Sequence, residues 1–193
     1  AGMFTRNDFE TPAIIVILSS HTKFIPIDGD GQVLGSLTTM SGQLYEAIIE
    51  HTFVSKSVRK PKGGVEKPEN YFNPEIVNDG LDWINKTGLV RTLMFPRFLD
   101  VLLETTWYER LLFFEALIAA EDMLAIGQLD LFDFKLPTNF MLVGNEERCQ
   151  LYSHILKQRF PKSSMKTITQ SGEIDALSIK GILSIAKKAG VVK

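Results

Sequence analysis

The sequence predicts an α/β fold, a mixed sheet carrying a helical insertion. Three patterns support this: apolar strand runs joined by tight turns over 13–38, helical spacing over about 73–127, and a strand–helix–strand–helix series from Asn139 onward. Short turns join antiparallel neighbours, so the first pattern reads as a three-stranded meander. The last is a parallel unit, because parallel strands need a crossover long enough to hold a helix.

In chain order, residues 1–12 read as an N-terminal tail, in which Ala1-Gly2 ahead of Met3 resembles tag sequence. Residues 13–193 read as a single domain. Its first strand is Ala13-Ile14-Ile15-Val16-Ile17-Leu18, which delivers the polar cluster Ser19-Ser20-His21-Thr22-Lys23. A second strand, Phe24 to Ile27, leads into Asp28-Gly29-Asp30-Gly31, residues suited to positive-φ turn positions. A third strand, Val33 to Thr38, opens into Thr39-Met40-Ser41-Gly42-Gln43-Leu44. Ser41 is the expected N-cap of an amphipathic helix in which Leu44, Ala47, Ile48 and Ile49 recur at helical spacing.

The stretch Ser55 to Asn70 is basic and rich in chain breakers, and reads as an exposed loop. Helices are expected over Asn73–Lys86, over Leu89–Leu103 with Pro96 dividing or kinking it, and over Thr106–Ile126. The last carries Leu111, Leu112, Phe113, Phe114, Ala116, Leu117 and Ile118, an apolar run that predicts a central buried helix. A loop through Pro137 follows. Then come the strand Asn139–Val143, the turn at Gly144, a helix over Glu146–Phe160, a strand over Lys166–Gln170 and a closing helix over Gly172–Lys188.

Bulk properties narrow the function. A net charge of −2 gives no whole-molecule field favouring nucleic acid or a membrane surface. The basic loop Lys56–Lys67 lacks interleaved aromatics, which argues for a solvated loop. No apolar run reaches the roughly 20 residues of a bilayer span. The single cysteine, Cys149, excludes an internal disulfide and points to a reducing cytoplasm. His51 and His154 have no metal-ligand spacing, and no metal site is expected.

Hydroxyls, an imidazole and an ammonium at one strand end, with a Ser-Gly step nearby, suit the binding of phosphate or an acidic sugar. Ser20 and Ser41 can donate to anionic oxygens, and Lys23 can neutralise charge. The plainer reading is a polar strand end followed by a helix cap. Arg97 reads equally as an internal ion-pair partner and as a substrate contact. Cys149 reads as a small packed residue.

The order of these motifs resembles the C-terminal half of the 2-dehydro-3-deoxygalactonokinases, in the actin-like, ribonuclease-H-like sugar kinase superfamily. Ser19-Ser20-His21-Thr22-Lys23-Phe24 resembles the family's strand end Gly-Thr-His-x-Lys-Trp, and Met40-Ser41-Gly42-Gln43-Leu44 its Met-Thr-Gly-Glu-Leu. His51, Gly80, Arg97 and Glu121 fall at matching places. So do Leu142-Val143-Gly144-Asn145 with Cys149 and Tyr152, and Gly172-Glu173 with Gly181. Ser19 replaces a glycine, Gln43 a glutamate, and Glu115 and Ala119 stand where the family has small residues in the long helix. No counterpart of the family's Asp-x-Gly-x-Thr phosphate hairpin precedes Ala13.

The resemblance implies a ribonuclease-H-like (actin-like ATPase) lobe over 13–193 with the helical insertion at about 73–127. It implies phosphoryl transfer from ATP with Mg²⁺ to the terminal hydroxyl of a 2-keto-3-deoxy sugar acid. Substrate or phosphate contacts are expected at Ser20, His21, Lys23, Ser41, Gly42, Gln43 and Arg97, and nucleotide contacts at Gly144, Asn145 and Gly172. His21 is expected to orient the ligand. No catalytic residue is assigned, because the family's general base lies in its N-terminal half. The expected partners are a sugar acid, a nucleotide, and an N-terminal kinase lobe or a second copy of the chain. The alternative is a stand-alone, non-catalytic binding or regulatory module derived from the same lobe.

Overall fold

The computed structural model describes residues 1–6, 8–134 and 139–192. The loop expected through Pro137 lies outside them. The chain divides into two compact units. Unit 1 comprises Ala1–Leu18, Lys23–Leu37 and Leu129–Lys193, and unit 2 comprises Ser19–Thr22 and Thr38–Gln128.

A mixed five-stranded sheet has the order β3-β2-β1-β4-β5, with β1 Ala13–Ile17, β2 Thr22–Ile27, β3 Leu37–Thr39, β4 Asn139–Val143 and β5 Ser164–Ile168. β1 pairs antiparallel with β2 (Ile17 opposite Lys23) and parallel with β4 (Ile17 opposite Val143), and β4 is parallel to β5. β1 and β4 are central strands, and Ile14, Val16, Phe140 and Leu142 are buried along them, as expected where both faces are covered.

In unit 1, α7 (Glu146–Arg159) links β4 to β5, and α8 (Ser171–Lys188) follows β5. Asn145 caps α7, its side-chain oxygen accepting from Arg148 N at 2.8 Å. One sheet face builds a core from Ile15, Ile27, Met141 and Ile168, with Ile174 and Leu177 of α8 packed on it. A 3₁₀ turn over Gly2–Thr5 lies against α8, and Arg6 pairs with Glu173 and Asp8.

Unit 2 is helical. Its centre is α6 (Trp107–Ile126), opened by a reciprocal cap in which Thr106 N donates to Glu109 Oε2 at 2.6 Å and Glu109 N to Thr106 Oγ1 at 3.4 Å. Phe114 and Ile118 pack with Ile48 of α1 (Ser41–His51), Val54, and Val58 of α2 (Ser55–Val58). α3 (Pro74–Thr87) is capped by Asn73, whose side chain accepts from Glu75 N at 2.9 Å. The expected helix over 89–103 is divided into α4 (Leu89–Thr92) and α5 (Phe95–Leu102), with Pro96 in the first turn of α5, where its missing N–H costs nothing. Arg110, 6% exposed, ties the unit together. It donates to Ser57 O at 2.6 Å and Thr105 O at 2.5 Å and pairs with Asp100 at 3.1 Å.

Four expectations are corrected. The third strand does not run over Val33–Thr38: a single bridge joins Val33 to Ile27, and β3 proper begins at Leu37. Pro26 accepts from Leu34 N at 3.0 Å but has no N–H to return, so the ladder lapses there. Of the turn glycines, Gly31 (φ +78°) has the positive φ, while Asp28 Oδ1 accepts from Asp30 N at 3.0 Å and Gln32 N at 2.8 Å. The segment 55–70 is not all loop, since it starts with α2, where Ser57 and Val58 are buried. Finally, β5 starts at Ser164 instead of Lys166, in register with Asn139 of β4.

Candidate functional site

In unit 2 the polar cluster and the start of α1 are held in close contact. A Cβ on Gly42 would lie 2.3 Å from Ser19 O and 2.8 Å from Ser20 Cα, so only glycine lets the loop lie this close to the helix. Gln43 N donates to Ser20 O at 2.9 Å. A loop carbonyl therefore does the work expected of a Ser41 cap, and Met40 occupies the N-cap position without a side-chain bond. Ser19 and Ser20 are exposed. Ser19 Oγ donates to His21 O at 3.1 Å, and Ser20 Oγ lies 3.3 Å from His21 Nδ1. An exposed hydroxyl and an imidazole are thus fixed at the amino end of an eleven-residue helix, whose dipole favours an anion.

Ser41 faces inward. Its Oγ is 2.7 Å from Thr22 Oγ1 and 3.2 Å from Thr39 Oγ1, and Thr39 Oγ1 donates to Asp122 Oδ1 at 2.5 Å. Asp122 is 1% exposed. The sequence reading missed this chain of groups. The available signal was spacing, since Asp122 lies four residues after Ile118 and so falls on the apolar face of α6, where an acid needs partners.

Of the other predicted residues in unit 2, the Gln43 side chain is exposed on α1. Arg97 stands apart on α5, where it is exposed and donates to Asp100 Oδ2 at 3.0 Å.

In unit 1 the predicted residues lie at one end of the sheet. Lys23, half-buried, begins the Ile17 pairing in β2, while Gly144 and Asn145 follow β4 and Gly172 lies in the first turn of α8 after β5. These are the carboxyl ends of the parallel strands, the usual ligand side of open α/β sheets. Gly144 has a packing reason to be glycine, because a Cβ there would lie 2.8 Å from Leu18 Cβ and 2.9 Å from Leu18 O. Gly144 N donates to Ile168 O at 3.1 Å, and nothing lies within 4 Å of a Cβ placed on Gly172. Cys149 is buried beneath this end of α7, and burial pushes its thiol up to about 11, as suits a packed and unreactive residue.

Comparison with known proteins now adds to the geometry. No curated protein sequence is significantly similar to the chain. Among solved structures, a candidate 2-dehydro-3-deoxygalactonokinase from Sinorhizobium meliloti superposes with a TM-score of 0.69 at 18% identity. That match covers 97% of this chain and 57% of the other, so the chain spans little more than half of its solved neighbour. At this identity the match establishes a shared mixed α/β fold. The sequence profile of the 2-keto-3-deoxy-galactonokinase family matches residues 1–185, and the chain belongs to that family.

Proposed function

We propose that the chain forms the C-terminal, ribonuclease-H-like lobe of a sugar-acid kinase that phosphorylates the terminal hydroxyl of a 2-keto-3-deoxy sugar acid with ATP. The observation that carries this reading is the exposed Ser20–His21 pair held against Gly42 at the start of α1, in a chain of this family. Phosphoryl transfer depends on positioning and neutralising phosphate more than on covalent chemistry from the protein. In unit 2, Ser20 donates to an anionic oxygen, His21 orients the ligand, and Gln43 offers its amide. In unit 1, Lys23 supplies a positive charge, and Gly144, Asn145 and Gly172 form the backbone surface for nucleotide.

ATP arrives as its Mg²⁺ complex. Among the described residues no group of three His, Cys, Asp or Glu side chains is placed to hold a metal. The general base that takes the hydroxyl proton belongs, on this reading, to the N-terminal half of the family enzyme. Among the described residues no helix is long and apolar enough to cross a membrane.

Ser19 and Gln43 favour a second reading, a non-catalytic binding module, because they replace a glycine and a charge of the family pattern. Calorimetric titration with Mg–ATP and, separately, with 2-keto-3-deoxygalactonate tests both. The kinase-lobe reading expects binding of at least one ligand, weakened in Ser20→Ala and Lys23→Ala. Binding unaffected by either substitution would remove these residues from the site. No binding at millimolar concentration would count against both readings of the isolated chain.

A further inference from the structure

The buried chain Asp122–Thr39–Ser41–Thr22 lies directly behind the loop and helix start just described. All four groups belong to unit 2. Thr39 Oγ1 is within hydrogen-bond distance of both Asp122 Oδ1 (2.5 Å) and Ser41 Oγ (3.2 Å), but a hydroxyl has one proton to give. The contact to Asp122 is much the shorter of the two. Thr39 therefore gives its proton to Asp122. Ser41 Oγ in turn lies 2.7 Å from Thr22 Oγ1, a contact in which either hydroxyl can donate. Asp122, Thr39, Ser41 and Thr22 are thus linked side chain to side chain in series.

The ends of that series are placed where they matter. Ser41 is the first residue of α1, beside Gly42, and Thr22 follows His21 directly. Ser41 is buried, with its hydroxyl set between those of Thr39 and Thr22. Its contribution is to hold the amino end of α1 against residues 19–22.

We infer that Asp122 is a positioning residue that acts through Thr39, Ser41 and Thr22 to hold the Ser19–Thr22 loop and the start of α1 in their ligand-receiving arrangement. This rests on the kinase-lobe reading for the word "ligand", and on geometry alone for the positioning.

The test uses Thr39→Val, which keeps the shape and removes the hydroxyl, with Thr39→Ser as the conservative rescue. Asp122→Asn and the Thr39→Val/Asp122→Asn double variant complete the set. Amide hydrogen exchange is read at residues 19–22 and 41–44, with residues 112–118 of α6 as the internal reference. In Thr39→Val, exchange in the first group is expected to rise by roughly tenfold, with the reference changed by less than about twofold. Thr39→Ser should restore the native rates. The double variant should lose no more than the worse single variant, as groups acting in series require. Where the protein turns over a sugar acid, its KM should rise in Thr39→Val, with kcat changed much less.

Uniform loss of protection across both groups, or additive losses in the double variant, would overturn the proposal and leave a general stability role. If the wild-type protein neither binds nor phosphorylates a sugar acid, the kinase reading fails, and the exchange comparison still decides the positioning claim.

Discussion

Replacing Gly42 with alanine is the sharpest single test of how the candidate site is built. The added Cβ would sit 2.3 Å from Ser19 O and 2.8 Å from both Ser20 Cα and Ser20 O. These are backbone atoms, so no flexible side chain can swing away. Comfortable carbon contacts start near 3.5 Å, so the loop or the helix must retreat by about 1 Å. Overpacking of this kind costs about 1–3 kcal/mol, and alanine returns at most about 1 kcal/mol through helix propensity, leaving a net loss of about 1–2 kcal/mol. The retreat should also break the bond from Gln43 N to Ser20 O and displace the Ser20–His21 pair.

Urea unfolding gives the stability term, read as a lower midpoint at unchanged slope. The control is Gly172→Ala, where no atom lies within 4 Å of the new Cβ in the first turn of α8. That variant should be neutral or gain up to about 1 kcal/mol. A Gly42→Ala protein as stable as wild type and with native exchange rates at residues 19–22 would refute the reasoning. So would an equal loss in Gly172→Ala.

Three further predictions concern residues away from that contact. Arg110→Ala should cost about 1–3 kcal/mol, because it unpairs the carbonyls of Ser57 and Thr105 and takes one of two arginines from Asp100, whereas Arg97→Ala, which removes the exposed arginine from the same Asp100, should cost at most about 1 kcal/mol. Cys149, buried with its thiol raised to about 11, should resist Ellman's reagent at about pH 8 until the protein is unfolded, and rapid native labelling would contradict its packing. Burial lowers the pKa of His154 below the about 6.5 of an unperturbed imidazole, so the unfolded chain takes up that proton first and stability falls as pH drops below about 6.5 toward the folded-state pKa. Melting curves between about pH 7.5 and 5.5 should show a shallower decline in His154→Gln, and an unchanged decline would rule out His154 as the source.

Much of this architecture was legible in the sequence because the signals were local and redundant. Asn139–Val143 is a short apolar run set between turn residues, and α3 and α6 announce themselves through Asn73-Pro74 and the Thr106/Glu109 cap. The misplaced boundaries arise from pairing, which local composition does not encode. β5 begins two residues early because Asn139 sets its register, and β3 shrinks because Pro26 on the neighbouring strand offers no donor. At the site, the close approach of two segments was visible only as a Ser-Gly step. The sequence suggested a cap at Ser41, but the helix is capped by a carbonyl twenty-odd residues earlier in the chain, and the Ser41 hydroxyl turns to Thr22 and Thr39. Asp122 lies more than eighty residues from Thr39, and only its place on an apolar helix face hinted that it was buried.

The central proposal is that this chain serves a sugar-acid kinase. The most direct measurement is ADP formation by the protein from Mg–ATP, with and without 2-keto-3-deoxygalactonate, in the wild type and in Ser20→Ala. The account predicts ADP release that requires the sugar acid, matched by one phosphorylated product per ADP and reduced in the variant. Tight binding of nucleotide or sugar acid without any sugar-acid-dependent ADP would contradict it and establish the non-catalytic module instead.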